Sequence, residues 1–168
     1  DLLGAVPEKS GVYVYHQRYF RDARSRLRKA LRYADRLLVS TQPLVDAFAD
    51  MIDDIVVVPN RLRKEDWGYL QKPRLPVAGR KLRVGWVGAQ QHQGDLELIA
   101  EVVKETAHEV DWVFMGMWPE GVDEFIKEKH GSVSFSEYPA KVATLQLDIA
   151  LAPLEDNAFT LMEYDNGA

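Results

Sequence analysis

Residues 83–99, RVGWVGAQQHQGDLELI, end an apolar run in a glycine turn and lead into a helical pattern. A strand that feeds a helix through such a turn can present backbone amides and the positive end of the helix dipole to a phosphate. Gly88 supplies the tight turn, and Gln91 and His92 follow it in the loop. The same turn serves equally as a plain strand-to-helix connection with no ligand. Gly85, Gly88 and Gly94 do not fall at G-x-G-x-x-G, and no G-x-x-x-x-G-K-[ST] is present, so a nicotinamide fold and a P-loop are both poorly supported.

A second candidate is the end of the apolar run 148–154, DIALAPL, where Pro153 and Leu154 are followed by Glu155, Asp156 and Asn157. Polar residues directly after a buried strand stand at the carboxyl edge of a sheet, where ligands of open α/β sheets gather. An exposed acidic loop is the plainer alternative. Glu163, beside Tyr164, can accept hydrogen bonds from a ribose or sugar, although a lone glutamate is equally a surface charge.

The third feature is basic: Arg18, Arg21, Arg24, Arg26, Arg28, Lys29, Arg32 and Arg36 face only Asp22 and Asp35 within residues 18–36. Such a helix can rest on anionic lipid, dock a phosphate-bearing substrate or follow a nucleic acid backbone. Phe20, Leu27 and Leu31 give it a thin apolar face, and no aromatic series for base stacking accompanies it. A solvated helix face is the default, weak contact with an anionic membrane surface the second reading, and nucleic acid is not expected. The four histidines, at 16, 92, 108 and 130, never form His-x-x-x-His or His-Glu-x-x-His, so metal ligation has no spacing behind it. Cysteine is absent, which removes disulfides, thiolate zinc sites and thiol nucleophiles.

The elements that must position these residues alternate. Residues 11–16 read as a strand, the arginine-dense stretch as a helix, 36–40 as a strand, 41–51 as a helix and 55–58 as a strand. Residues 68–81, with two prolines, two glycines and no apolar period, have the composition of a linker. The pattern then restarts: strand 82–87, helix 95–106, strand 110–115, helix 121–129, strand 133–135, helix 139–145, strand 148–152. Strands that read as continuous apolar runs suit a parallel sheet covered on both faces. The expected fold is therefore α/β, with two Rossmann-like parallel-sheet units over residues 1–75 and 76–168, the first incomplete.

A length of 168 residues allows one ordinary domain or two small ones, not a complete enzyme of two large lobes. Hydrophobic residues at 46% and charged residues at 28% are those of a chain that folds. The net charge of −5 gives no general attraction for nucleic acid. No apolar run reaches the ~20 residues of a membrane span, and the N-terminus has no secretory-signal pattern. The first residue is Asp1 rather than Met, so the expectation is a processed product or a piece of a longer chain.

Taken in order, these segments resemble bacterial glycosyltransferases of the two-lobed GT-B type, particularly the retaining group of family 4 and related enzymes of surface-polysaccharide synthesis. Residues 34–41, ADRLLVST, and 55–60, IVVVPN, look like the late part of the first lobe. Gly85, Gly88, His92, Asp95 and Leu96 look like the opening strand and donor-phosphate loop of the second lobe, and Gly116 fits the end of its next strand. Tyr138-Pro139, residues 148–154, Asn157-Ala158-Phe159 and Glu163-Tyr164 resemble the approach to the nucleotide-sugar pocket, with Glu163 at the donor ribose. Two departures stand out: only Thr160, Leu161 and Met162 separate Phe159 from Glu163, where relatives commonly carry a Lys-Ser-containing helix, and Asp165 to Ala168 replace a glycine-rich continuation.

The resemblance implies transfer of a sugar from a nucleotide-sugar donor to a glycan, lipid or other hydroxyl acceptor with retention of configuration. It implies no cofactor and no essential metal, and a cytoplasmic location with contact at the inner face of the membrane. The donor contacts it implies are Gly88, Gln91 and His92 in the loop, Pro153, Leu154 and Asn157 at the strand end, and Glu163. No catalytic residue is assigned. A non-catalytic binding or scaffolding module of the same fold is the alternative. Because a two-lobed site must open to exchange substrates, residues 68–81 are expected to act as a hinge. Hydrogen exchange should then be faster over 68–81 than over 84–87, and equal protection in the two segments would remove the hinge.

Overall fold

The computed structural model describes residues 22–68, 78–89 and 93–155. The chain divides into two compact units, Asp1–Arg61 with Glu155–Ala168, and Leu62–Leu154. The strand expected at 11–16 and the domain boundary expected at 75/76 both lie outside the described residues. Both units are α/β with parallel strands, as the alternating sequence pattern requires.

In the first unit, helix α1 (Ala23–Leu31) precedes strand β1 (Leu37–Val39), helix α2 (Gln42–Phe48) and strand β2 (Ile55–Val57). The strands pair parallel, with Leu37 opposite Ile55 and Val39 opposite Val57. Pro43 lies in the first turn of α2, where a missing N–H goes unmissed. The basic stretch does form a helix, but much of its charge is spent within the unit. Arg24 and Arg28 both bond the Asp50 carboxylate, and Arg36 bonds Asp54 at 2.9 Å. Exposed pairs of this kind contribute at most ~1 kcal/mol each to stability. Their consequence here is to reduce the cationic field that eight bare charges would project.

The second unit opens with the short helix α3 (Lys64–Trp67) and then strand β3 (Arg83–Val87). Helices α4 (Gln93–Glu97) and α5 (Ala100–Thr106), strand β4 (Asp111–Met115), a 3-10 turn (Asp123–Phe125) and strand β5 (Glu128–His130) follow. Helix α6 (Tyr138–Leu145) crosses back to strand β6 (Ile149–Ala150). The four strands are parallel in the order β5-β4-β3-β6. One face packs Val84, Trp86, Trp112 and Phe114 against Leu96, Val103 and Val122. The other packs Val113 and Met115 against Leu145, Val142 and Tyr138 of α6. The sheet is thus covered on both faces, which is why β3 and β4 read as unbroken apolar runs. Burying a side chain such as Phe114 contributes ~2–3 kcal/mol.

Three expectations need correction. The single helix expected at 95–106 is two, because Ile99 takes φ −104°, ψ 0° and bonds back to Leu96 in a tightened turn. The helix expected at 121–129 is the 3-10 turn followed by β5. Gly121 has φ +70°, outside the helical range, and Glu128 is drawn to the sheet by Arg83. The strand expected at 133–135 is a turn into α6, with Ser134 accepting from the Tyr138 amide and donating its hydroxyl to Glu137. Phe135 consequently stands 91% exposed. The helix expected at 41–51 ends three residues early at Phe48, and α3 (Lys64–Trp67) was not expected; the remaining strands and α6 match to within a residue or two, β6 being the shortest against its expected run of 148–152. No helix among the described residues is long and apolar enough to cross a membrane.

Polar groups tie the strands together at the amino edge. The Arg83 guanidinium spans β4 to grip Glu128 with two bonds of 2.7 and 2.9 Å, and its Nε donates to the Leu145 carbonyl at 2.9 Å. The Arg83 amide donates to Asp148, which Arg80 holds from the other side. Arg83, with lesser help from His130, holds the Glu128 carboxyl at about 2, below its ordinary 4.5, against the opposing effect of burial. Between pH 4.5 and about 2 the unfolded chain therefore takes up a proton at Glu128 that the folded chain refuses. Stability from this pair is complete above pH 4.5 and is lost as pH falls through that window. Glu128→Gln should flatten the acid limb of a urea-unfolding series over this range, and an unchanged slope would show that the pair carries no linkage.

Candidate functional site

From β3 the chain moves outward to β4 and β5, then returns to place β6 on the opposite side of β3. The crossover leaving β3 covers one face and α6 covers the other. Strands β3 and β6 therefore form a topological switch point, the place where an open α/β sheet leaves a crevice at its carboxyl edge. Val84 lies opposite Ile149 and Gly85 opposite Ala150, and the Leu151 amide continues the ladder to the Gly85 carbonyl at 2.8 Å. Gly88 leaves β3, and Pro153 and Leu154 leave β6, on this one edge. Three of the expected donor contacts thus follow adjacent strands toward the same edge. Gln91, His92, Asn157 and Glu163 lie outside the described residues.

Two glycines form the floor of the edge. The Gly88 amide donates to the Met115 carbonyl at 3.1 Å, and the Gly116 amide donates to the His130 carbonyl at 2.9 Å. Gly116 has φ +93°, and a Cβ there would fall 1.9 Å from the Gly88 carbonyl oxygen. Both the backbone conformation and the close approach demand glycine. At Gly88 the constraint is different: a Cβ would strike the indole of Trp86 at 2.3 Å, and Trp86 is buried in the core. Gly88 therefore has a packing reason to be glycine, independent of any ligand. Helix α4 beyond it is only five residues long, so its dipole is weaker than that of a full helix.

The edge continues past the residues that sequence reasoning singled out. His130 ends β5 with Nε2 3.1 Å from Glu128 and Nδ1 3.2 Å from Lys141 Nζ. A carboxylate can only accept and an ammonium can only donate, so Nε2 carries the proton and Nδ1 presents its lone pair. The imidazole is held between its two partners. Ser132 follows, its hydroxyl 3.7 Å from the position a Gly116 Cβ would take. His130 was hidden in sequence because the residues before it read as a helix, and Lys141 because it looks like any polar position of an amphipathic helix. Among the described residues no group of three or more His, Asp or Glu side chains gathers as metal ligands would.

Compared with models of known protein families and with curated proteins, the chain matches none.

Gly116→Ala should lower stability by ~2 kcal/mol or more, since strain at positive φ adds to the clash with the Gly88 carbonyl. Gly88→Ala should also destabilise, with a shift in tryptophan emission as Trp86 is displaced. Thermal unfolding with fluorescence detection checks both. A Gly88→Ala protein with wild-type stability and emission would discard the packing role.

Proposed function

We propose that this chain is the donor-binding part of a nucleotide-sugar-dependent glycosyltransferase that passes a sugar to a glycan, lipid or other hydroxyl acceptor with retention. The observation that carries the reading is the β3/β6 switch point, whose carboxyl edge gathers Gly88, Gly116, Pro153 and Leu154. A bare backbone of this kind admits a diphosphate close to amide groups, and a neighbouring apolar segment suits the body of a nucleoside. The order of segments along the sequence supports the same reading, with Glu163 assigned to the donor ribose by resemblance. Chemically, the edge must stabilise the charge that develops on the departing nucleoside diphosphate, and preorganised amides and cations do this without reorganising during the reaction. In the retaining course, the departing phosphate itself helps to deprotonate the acceptor hydroxyl.

A second reading is a module of the same fold that binds without transferring, which likeness of fold leaves open. Hydrolysis and transfer assays with labelled nucleotide sugars separate the two, because a pure binding module gives donor affinity with no turnover.

Calorimetric titration of the chain with uridine and guanosine diphosphates should show binding of at least one. Glu163→Ala should weaken it roughly tenfold or more, the loss expected for one charged hydrogen bond to ribose. Absence of binding by both diphosphates would overturn the proposal, and wild-type affinity in Glu163→Ala would move the ribose contact elsewhere.

A further inference from the structure

The cations of the second unit differ in where they stand and what holds them. Arg80 and Arg83 are committed to Asp148 and Glu128, Lys104 to Glu101 and Lys129 to Asp123. Lys81 and Lys127 precede β3 and β5, and so stand at the amino edge. Lys141 is different. Helix α6 runs antiparallel to the strands, and Lys141 lies in its first half, which places the residue toward the carboxyl edge. Its ammonium is fixed by the His130 imidazole at 3.2 Å, and among the described residues no carboxylate lies within ion-pair distance of it.

Along the same edge the Gly116 amide donates to the His130 carbonyl, and the His130 ring reaches Lys141. A histidine ring directs the lysine head without setting a carboxylate's negative charge against it. Glu128, itself bound by Arg83, stops the imidazole from turning away. We infer that Lys141, held in place by His130 at the same carboxyl edge that carries Gly88 and Gly116, is a binding cation for the diphosphate of a nucleotide ligand. Lys141 makes the contact, and His130 is a positioning residue. The inference rests on the glycosyltransferase reading for the nucleoside part of the ligand, but the anion site stands on its own geometry.

The test uses the full chain, with uridine diphosphate, guanosine diphosphate, uridine and inorganic pyrophosphate as separate probes in calorimetric titrations. Lys141→Met should weaken pyrophosphate and the diphosphates roughly tenfold or more and leave uridine unchanged, and Lys141→Arg should recover most of the loss. His130→Ala should cost less, a few-fold, with the ratio of diphosphate to uridine affinity falling. Circular dichroism and melting temperature report whether each variant is folded, and Lys141→Gln replaces Lys141→Met if the latter is not. Diphosphate and pyrophosphate affinities unaltered in a folded Lys141→Met protein overturn the inference and leave the glycosyltransferase reading standing. Pyrophosphate binding that depends on Lys141, with neither nucleoside diphosphate bound, supports the anion site and removes the glycosyltransferase reading. A wild-type chain that binds none of the four probes ends both.

Discussion

The second unit depends on the Arg83 guanidinium more than on any other polar group. Parallel strands that are not sequence neighbours pair only after their crossovers close, so each needs a reason to stay in register. Arg83 supplies it from one residue: its amide meets Asp148 at the entry to β6, and its side chain meets Glu128 at the start of β5 and the Leu145 carbonyl at the end of α6. Four elements are thereby set at one level. With Arg83 15% and Glu128 37% exposed, the bidentate contact is partly screened by water but better sheltered than the pairs of Arg24 or Arg36.

That fastening lies at the amino edge and leaves the opposite edge differently built. The amino edge is closed by guanidinium–carboxylate pairs, whereas the carboxyl edge has glycine backbone at the ends of β3 and β4 and a histidine-tethered ammonium beside β5. The two edges are in this way built from different groups. The two edges remain connected through Glu128, which accepts from Arg83 with both oxygens and from His130 with one of them.

Much of this fold was legible in the sequence, because apolar runs bounded by glycine, proline and acidic residues place β3, β4 and β6 with little competition from other structures. What was illegible has specific causes. Val122, Phe125 and Ile126 repeat at helical spacing, but their burial comes from a loop packed on the sheet rather than from a helix. Strand β5 reads Glu-Lys-His and carries no β pattern, since an edge strand held by a distant arginine needs none. Val133, Ser134 and Phe135 alternate as a strand would, yet the local Ser134–Glu137 turn wins, and among the described residues no strand pairs beyond β5. Of the candidate site, Gly88, Pro153 and Leu154 were readable because each follows an apolar strand. Lys141 was not, because its meaning depends on the direction in which α6 crosses the sheet.

The basic stretch at the start of the chain shows the opposite error, a strong sequence signal that folding weakens. Eight cations against two acids in residues 18–36 look like a surface built for polyanions. Folding brings Asp50 and Asp54 from beyond β1 to three of these arginines. A charge count along the chain cannot see these partners, because they are separated from the arginines by 18 to 26 residues. Lys141 has the reverse history: a single lysine in an ordinary helix that folding leaves without a carboxylate among the described residues, at the edge where a parallel sheet gathers its ligands. What bears on recognition is the charge that remains after folding has paired the rest, and a count along the sequence does not give it.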